Sequence, residues 1–142
     1  MKRLISSIVS VFILSFLMNF FWESMHGYSL YTDHVIDSDK YVRMMVYMSF
    51  MDAVTILAMY LVFAFFKKDI LWLKRLSCKE AIVFFILGLF VGTAAEYWAV
   101  HVSHEWHYNQ YMPVIFGIGL SPLLQLSGTG LVAIWLTMRI NE

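Results

Sequence analysis

Four long apolar runs, separated by short polar segments, constrain this chain more than any other feature. They cover residues 4–22, 44–66, 81–100 and 114–138. A helix needs about 20 residues to cross roughly 30 Å of hydrocarbon. In that solvent every backbone polar group must be bonded internally, which helices of this length achieve. Charged residues make up only 14% of the 142 and apolar ones 61%, where a soluble domain carries roughly 25% charged residues. The fold class expected is therefore an all-α membrane protein. It is a four-transmembrane-helix bundle in a single domain over 1–142, with the lipid bilayer as its surroundings. A net charge of zero offers nothing to a nucleic acid.

Lysine and arginine give an orientation. Eight lie at the two chain ends and between the second and third runs (Lys2, Arg3, Lys67, Lys68, Lys74, Arg75, Lys79, Arg139), and two (Lys40, Arg43) lie on the other side. The positive-inside rule then predicts both termini cytoplasmic and the 23–43 and 101–113 segments outside, in a multi-pass protein of the cell membrane. In a bacterium this is the inner membrane. Ser24-Met25-His26-Gly27 lacks a small-residue cleavage pattern, so the first run is read as a retained span. Trp22, Trp72, Trp98 and Trp106 fall near the predicted interfaces. Pro113 suits the first turn of the fourth helix and Pro122 a kink within it. Gly88 and Gly92 form a GxxxG pattern that allows close helix packing, including a homo-oligomer. Cys78, the single cysteine, can form neither an internal disulfide nor a thiolate cluster.

Ionisable groups at membrane depth are expensive, and by default they mark function. Asn19, Glu23 and His26 are spaced i, i+4, i+7 on one face, and Glu23-x-x-His26 is a pair that metal-binding bundles use. Asp52 interrupts the second run about 12 Å below its outer end, with no lysine or arginine on any span to pair with it. It needs a histidine, a hydroxyl, a metal, a water-filled cavity or a proton. Glu96 ends the third run. A continued helix would align it with Val100, His104 and His107, next to His101, His104, Glu105 and Tyr108. Ser121, Gln125 and Thr129 form a polar stripe on the fourth run. All four helices thus offer polar groups to the outer half of one bundle, while the cytoplasmic half is almost wholly apolar.

The motifs Asn19–His26, Leu30-Tyr31, Asp52-Ala53, Glu96-Tyr97-Trp98, Trp106-His107-Tyr108, Met112-Pro113 and Gly117–Gln125 occur in this order over most of the chain. The pattern resembles an uncharacterised family of small four-helix bacterial inner-membrane proteins. The resemblance implies a fold and no activity. His101 and His104 fall outside the pattern.

Several functions fit these residues. The first is a membrane-embedded metal enzyme acting on a lipid or isoprenoid-like substrate. Glu23, His26, Asp52, Glu96 and His104 would be ligands to zinc or iron, and Asn19, Trp22, Trp106, Tyr108, Ser121 and Gln125 would line the substrate pocket. The second is a metal-free isomerase, hydratase or cyclase. In it one carboxylic acid protonates a double bond and another carboxylate accepts a proton, with Asp52, Glu96 and Glu23 as catalytic groups. The remaining readings are a non-enzymatic binding or transport protein and an assembly partner.

Overall fold

The computed structural model describes residues 2–32 and 37–140. Four helices carry the chain: α1 (Lys2–Leu30), α2 (Ser38–Lys67), α3 (Cys78–Tyr97) and α4 (Leu120–Ile140). Each is long and apolar enough to cross a membrane. Large apolar side chains such as Phe21, Phe65, Phe66 and Phe90 remain exposed on the outside of the bundle, as they do in helices solvated by lipid. The α2–α3 connection, the start of α1 and the end of α4 lie at one end of the bundle, and the end of α1, the start of α2 and the α3–α4 connection lie at the other.

The helices do not stop where the apolar runs stop. α1 continues through Glu23 to Leu30 because its polar residues find partners on α4. α2 starts at Ser38, six positions before the expected span. The fourth helix differs most. Residues 114–119 form a small hairpin, with Val114 opposite Gly119 and Ile115 opposite Ile118, and α4 begins only at Leu120. Phe116 and Gly117 occupy its turn with φ of 51° and 81°. Two successive positive φ values match the twist of a two-residue hairpin, and β-branched Val114 and Ile115 favour extended backbone over a first helical turn. Pro113 therefore precedes the hairpin, and the expected kink at Pro122 is absent. Pro122 lies in the first turn of α4, where its missing N–H costs nothing.

α1 packs against α2 and α4, and α3 packs against α4. α2 and α3 touch little, so a cleft runs between them. The apolar core sits at the end that holds the α2–α3 connection. Trp72 is fully buried there, stacked on Phe63 at 5.1 Å and Tyr60 at 5.5 Å, and its Nε1 donates to the Tyr60 carbonyl at 3.2 Å. It is a core residue of this end of the bundle. α3 starts in a capping box: Ser77 Oγ accepts from the Glu80 N–H and Glu80 returns a bond to the Ser77 N–H. Glu80 also pairs with Lys67, which ties α3 to the end of α2.

The GxxxG pattern is used inside the chain. A Cβ on Gly88 would lie 2.7 Å from Ser127 Oγ and 2.9 Å from Ser127 Cα, and one on Gly92 would lie 3.5 Å from the Pro122 carbonyl. Both glycines thus seat α3 on α4 of the same molecule, and the face expected to pair two copies is covered.

Candidate functional site

Gln125 is the hub of the polar cluster. One turn and a half into α4, it is buried and points toward α1 and α2. Its Nε2 reaches three acceptors: Glu23 Oε1 at 2.6 Å, Asp52 Oδ2 at 2.8 Å and Asn19 Oδ1 at 3.1 Å. A primary amide has two N–H donors, so three acceptors oversubscribe it. Asn19 is held from both sides, since its Nδ2 donates to the Ser15 carbonyl and its Oδ1 also accepts from Thr129. Glu23 and Asp52 are thus gathered on one amide from two different helices. Two carboxyl groups gathered this way in a low-dielectric setting favour one shared proton over two negative charges.

His26, one turn beyond Glu23, extends the cluster toward the loop end. Its Nε2 lies 3.3 Å from Glu23 Oε2 and its Nδ1 lies 3.0 Å from Ser121 Oγ, which accepts from Trp22 Nε1 at 3.2 Å. The pattern closes when Ser121 donates to Nδ1 and Nε2 donates to Glu23. The helical i, i+4, i+7 spacing and the α4 stripe of i+4 steps therefore meet as two complementary polar edges.

Glu96, on α3, forms the opposite wall. Its Oε1 accepts three bonds, from Tyr108 OH at 2.7 Å, Tyr31 OH at 3.0 Å and Trp106 Nε1 at 3.2 Å. Tyr108 OH itself accepts from the Gly119 N–H at 2.8 Å, so its single proton is committed to Glu96. Three donors on one oxygen suit a carboxylate, which is an acceptor only. Burial pushes the phenol of Tyr31 well above the usual tyrosine range, and the Glu96 carboxylate pushes it further. Burial and the bond to Glu96 raise Tyr108 too, against a lowering by its Gly119 contact.

A backbone irregularity assembles this wall. After Tyr97 the helix widens into one π-helical turn over Trp98–Val102, and Ser103 N–H bonds to the Trp98 carbonyl at 2.8 Å. The chain then reverses at His104, with φ of 53°, and carries Trp106 and Tyr108 back over Glu96. Such π-turns are rare and cluster at functional sites. The reversal overturns the expected continuous helix. His104 is exposed, its Nδ1 bonded to the Val100 carbonyl at 3.0 Å, and stands apart from the other proposed ligands. His101 is also exposed and bonds to the Gly117 carbonyl at 3.0 Å, supporting the hairpin turn. The end of α1 is stitched to the same loop by a bridge between Tyr31 and Tyr108, by Thr32 N–H to the His107 carbonyl and by Asn109 N–H to the Leu30 carbonyl.

Between the two walls lies a cavity of about 100 Å³. Glu23, His26, Asp52 and Gln125 border it on one side, with Glu96, Tyr31 and Trp106 on the other. At ~30 Å³ per water it holds about three waters or the reactive end of a larger molecule. Asp52 is only half-buried and Ala95 is exposed, so the cavity communicates with the α2–α3 cleft. Of the predicted site residues, Asn19, Trp22, Glu23, His26, Asp52, Glu96, Trp106, Tyr108, Ser121 and Gln125 come together here, and His104 does not. Among the described residues no three His, Cys, Asp or Glu side chains converge as ligands of one ion. Glu23, His26 and Asp52 are turned toward one another, and Glu96 Oε1 is occupied by its three donors.

Tyr31 is the site residue that reasoning from spacing missed. It lies one position beyond α1, and only its place in the family-like pattern marked it. Comparison of the chain with family models, with curated proteins and with solved structures finds no match.

Proposed function

We propose that this chain is a multi-pass membrane protein with both termini cytoplasmic, in the inner membrane of a bacterial cell. We further propose that its outer pocket is a metal-free acid–base site acting on an apolar, lipid- or isoprenoid-like substrate. The eight-to-two distribution of basic residues supports the orientation. One observation carries the chemistry: a carboxyl pair, Glu23 and Asp52, joined through the Gln125 amide, faces a triply hydrogen-bonded Glu96 across one small cavity. Carboxyl groups kept in different environments are what divides acid from base roles.

In this reading the pair donates its proton to a carbon–carbon double bond, whose electron pair forms the new C–H bond. The cation left on the neighbouring carbon faces the rings of Tyr31 and Trp106. Glu96 removes a proton from the adjacent carbon, and that C–H pair becomes the shifted double bond. The product is an isomer, with no co-reactant consumed. Water adding to the cation instead would make the protein a hydratase, and a second double bond attacking it would make a cyclase. The cavity admits only the reacting carbons, and the remainder of the substrate lies in the α2–α3 cleft and in lipid. Among the described residues no three His, Cys, Asp or Glu side chains converge as ligands of one zinc or iron ion, so the acid–base reading is preferred.

The test uses Asp52→Asn, which keeps shape and hydrogen bonding but removes the transferable proton. Wild-type protein incubated in deuterated water with a bacterial lipid extract should place deuterium on carbon in an apolar lipid, read by mass spectrometry. The variant should not, while melting within a few degrees of wild type. Stoichiometric zinc or iron in the wild type, lost together with stability in the variant, would replace this reading with the metal one.

A further inference from the structure

A second cavity lies at the opposite end of the bundle, far from the carboxyl cluster, and it is of a different kind. It encloses about 500 Å³ between α2 and α3, within the ~300–1,000 Å³ range of ligand sites. Its walls are apolar: Val62, Phe63 and Phe66 from α2 face Val83 and Leu87 from α3. Its mouth is basic and polar, formed by Lys67, Lys79 and Glu80. Lys67 is paired with Glu80, whereas Lys79 is exposed at the rim. Lys68, Lys74 and Arg75, all exposed, belong to the same connection.

The floor of this groove is rigid. Phe63 stacks on the buried Trp72 at 5.1 Å and meets Phe84 edge-on at 5.6 Å. The groove therefore persists as a preformed apolar slot that opens sideways and ends at a cluster of positive charge.

We propose that this groove binds one anionic phospholipid, its acyl chain along Val62, Phe66, Val83 and Leu87 and its phosphate at Lys79. The commitment to a lipid rests on charge complementarity. An apolar slot with Lys79 exposed at its mouth, and Lys68, Lys74 and Arg75 on the adjoining connection, matches an acyl chain joined to a phosphate, and basic clusters beside a membrane helix attract anionic headgroups. A neighbouring helix would cover the apolar wall but would leave the basic mouth unpaired. The site does not depend on the acid–base pocket, and either can fail without the other.

Native mass spectrometry of the full-length protein in mild detergent tests it, with phosphatidylglycerol or phosphatidylcholine of identical acyl chains added. The wild type should retain one phosphatidylglycerol with about tenfold preference over phosphatidylcholine, since each basic residue at a headgroup is worth on the order of fivefold. Lys79→Gln should reduce that preference several-fold without changing helix content or melting temperature. Val83→Trp, which fills the slot, should abolish retention of either lipid at this site. Equal retention of both lipids by the wild type would overturn the proposal. So would unchanged preference in Lys79→Gln, or a protein dimer in place of a bound lipid that Val83→Trp dissociates.

Discussion

Replacing Gln125 with leucine should destabilise the protein by on the order of 3 kcal/mol, because it removes the donor that three buried acceptors share. The amide serves Glu23, Asp52 and Asn19 at once. Its loss leaves two carboxyl groups and a carboxamide oxygen facing a leucine side chain. A single hydrogen bond between helices in a bilayer is worth only about 0.6 kcal/mol on average, so the size of the effect separates a hub from an ordinary contact. Thr129→Val is the control, since it removes one bond to Asn19 in the same buried stripe. Reversible unfolding in mixed micelles should rank Gln125→Leu far below Thr129→Val. Equal costs would mean that the cluster is a set of independent contacts.

Glu96→Leu should have an effect of similar size by the opposite route. It removes the acceptor shared by three donors: Tyr31 OH, Tyr108 OH and Trp106 Nε1. We expect a loss of about 3 kcal/mol, together with loosening of the 103–119 segment, whose fold is organised around this carboxylate. Hydrogen exchange should show faster exchange at Gly119 N–H, which bonds to Tyr108 OH. Glu96→Gln keeps an acceptor oxygen in place and should cost clearly less, since only the charge-assisted part of the bonds is lost. A Glu96→Leu protein with unchanged stability and unchanged Gly119 protection would show that the loop is held by its backbone alone.

The bundle and the site were legible in the sequence to different degrees. The helices could be read because an apolar run of about 20 residues has few other structures open to it. The cluster of Glu23, His26, Asp52 and Gln125 was readable because polar residues in such runs are exceptions that helical spacing assigns to a face. What lay outside the runs was not. The π-turn at Trp98 and the reversal at His104 depend on carbonyls five or more positions away and on Glu96 as an anchor, so neither leaves a local signature. Read as one helix, this stretch placed His104 among the ligands, whereas the reversal puts it on the outside. Tyr31 was invisible for the same reason, since its partners Glu96 and Tyr108 are more than 60 positions distant. The hairpin at 114–119 was hidden by its own apolarity, as Val114, Ile115 and Phe116 extend the fourth run without a change in composition. The burial of Trp72 was hidden as well, because its stacking on Phe63 and Tyr60 is a tertiary fact.

In the proposed chemistry Glu23 and Asp52 hold one proton between them beside the amide of Gln125. Infrared difference spectroscopy of the reconstituted protein at neutral pH tests it most directly, with carbon-13 placed in the aspartate carboxyl groups. The wild type should show the carbonyl band of a protonated carboxylic acid in an apolar setting, perturbed by the aspartate label and lost in both Asp52→Asn and Glu23→Gln. A spectrum showing only ionised carboxylates in the wild type would contradict it, as would a carboxylic acid band that survives both substitutions.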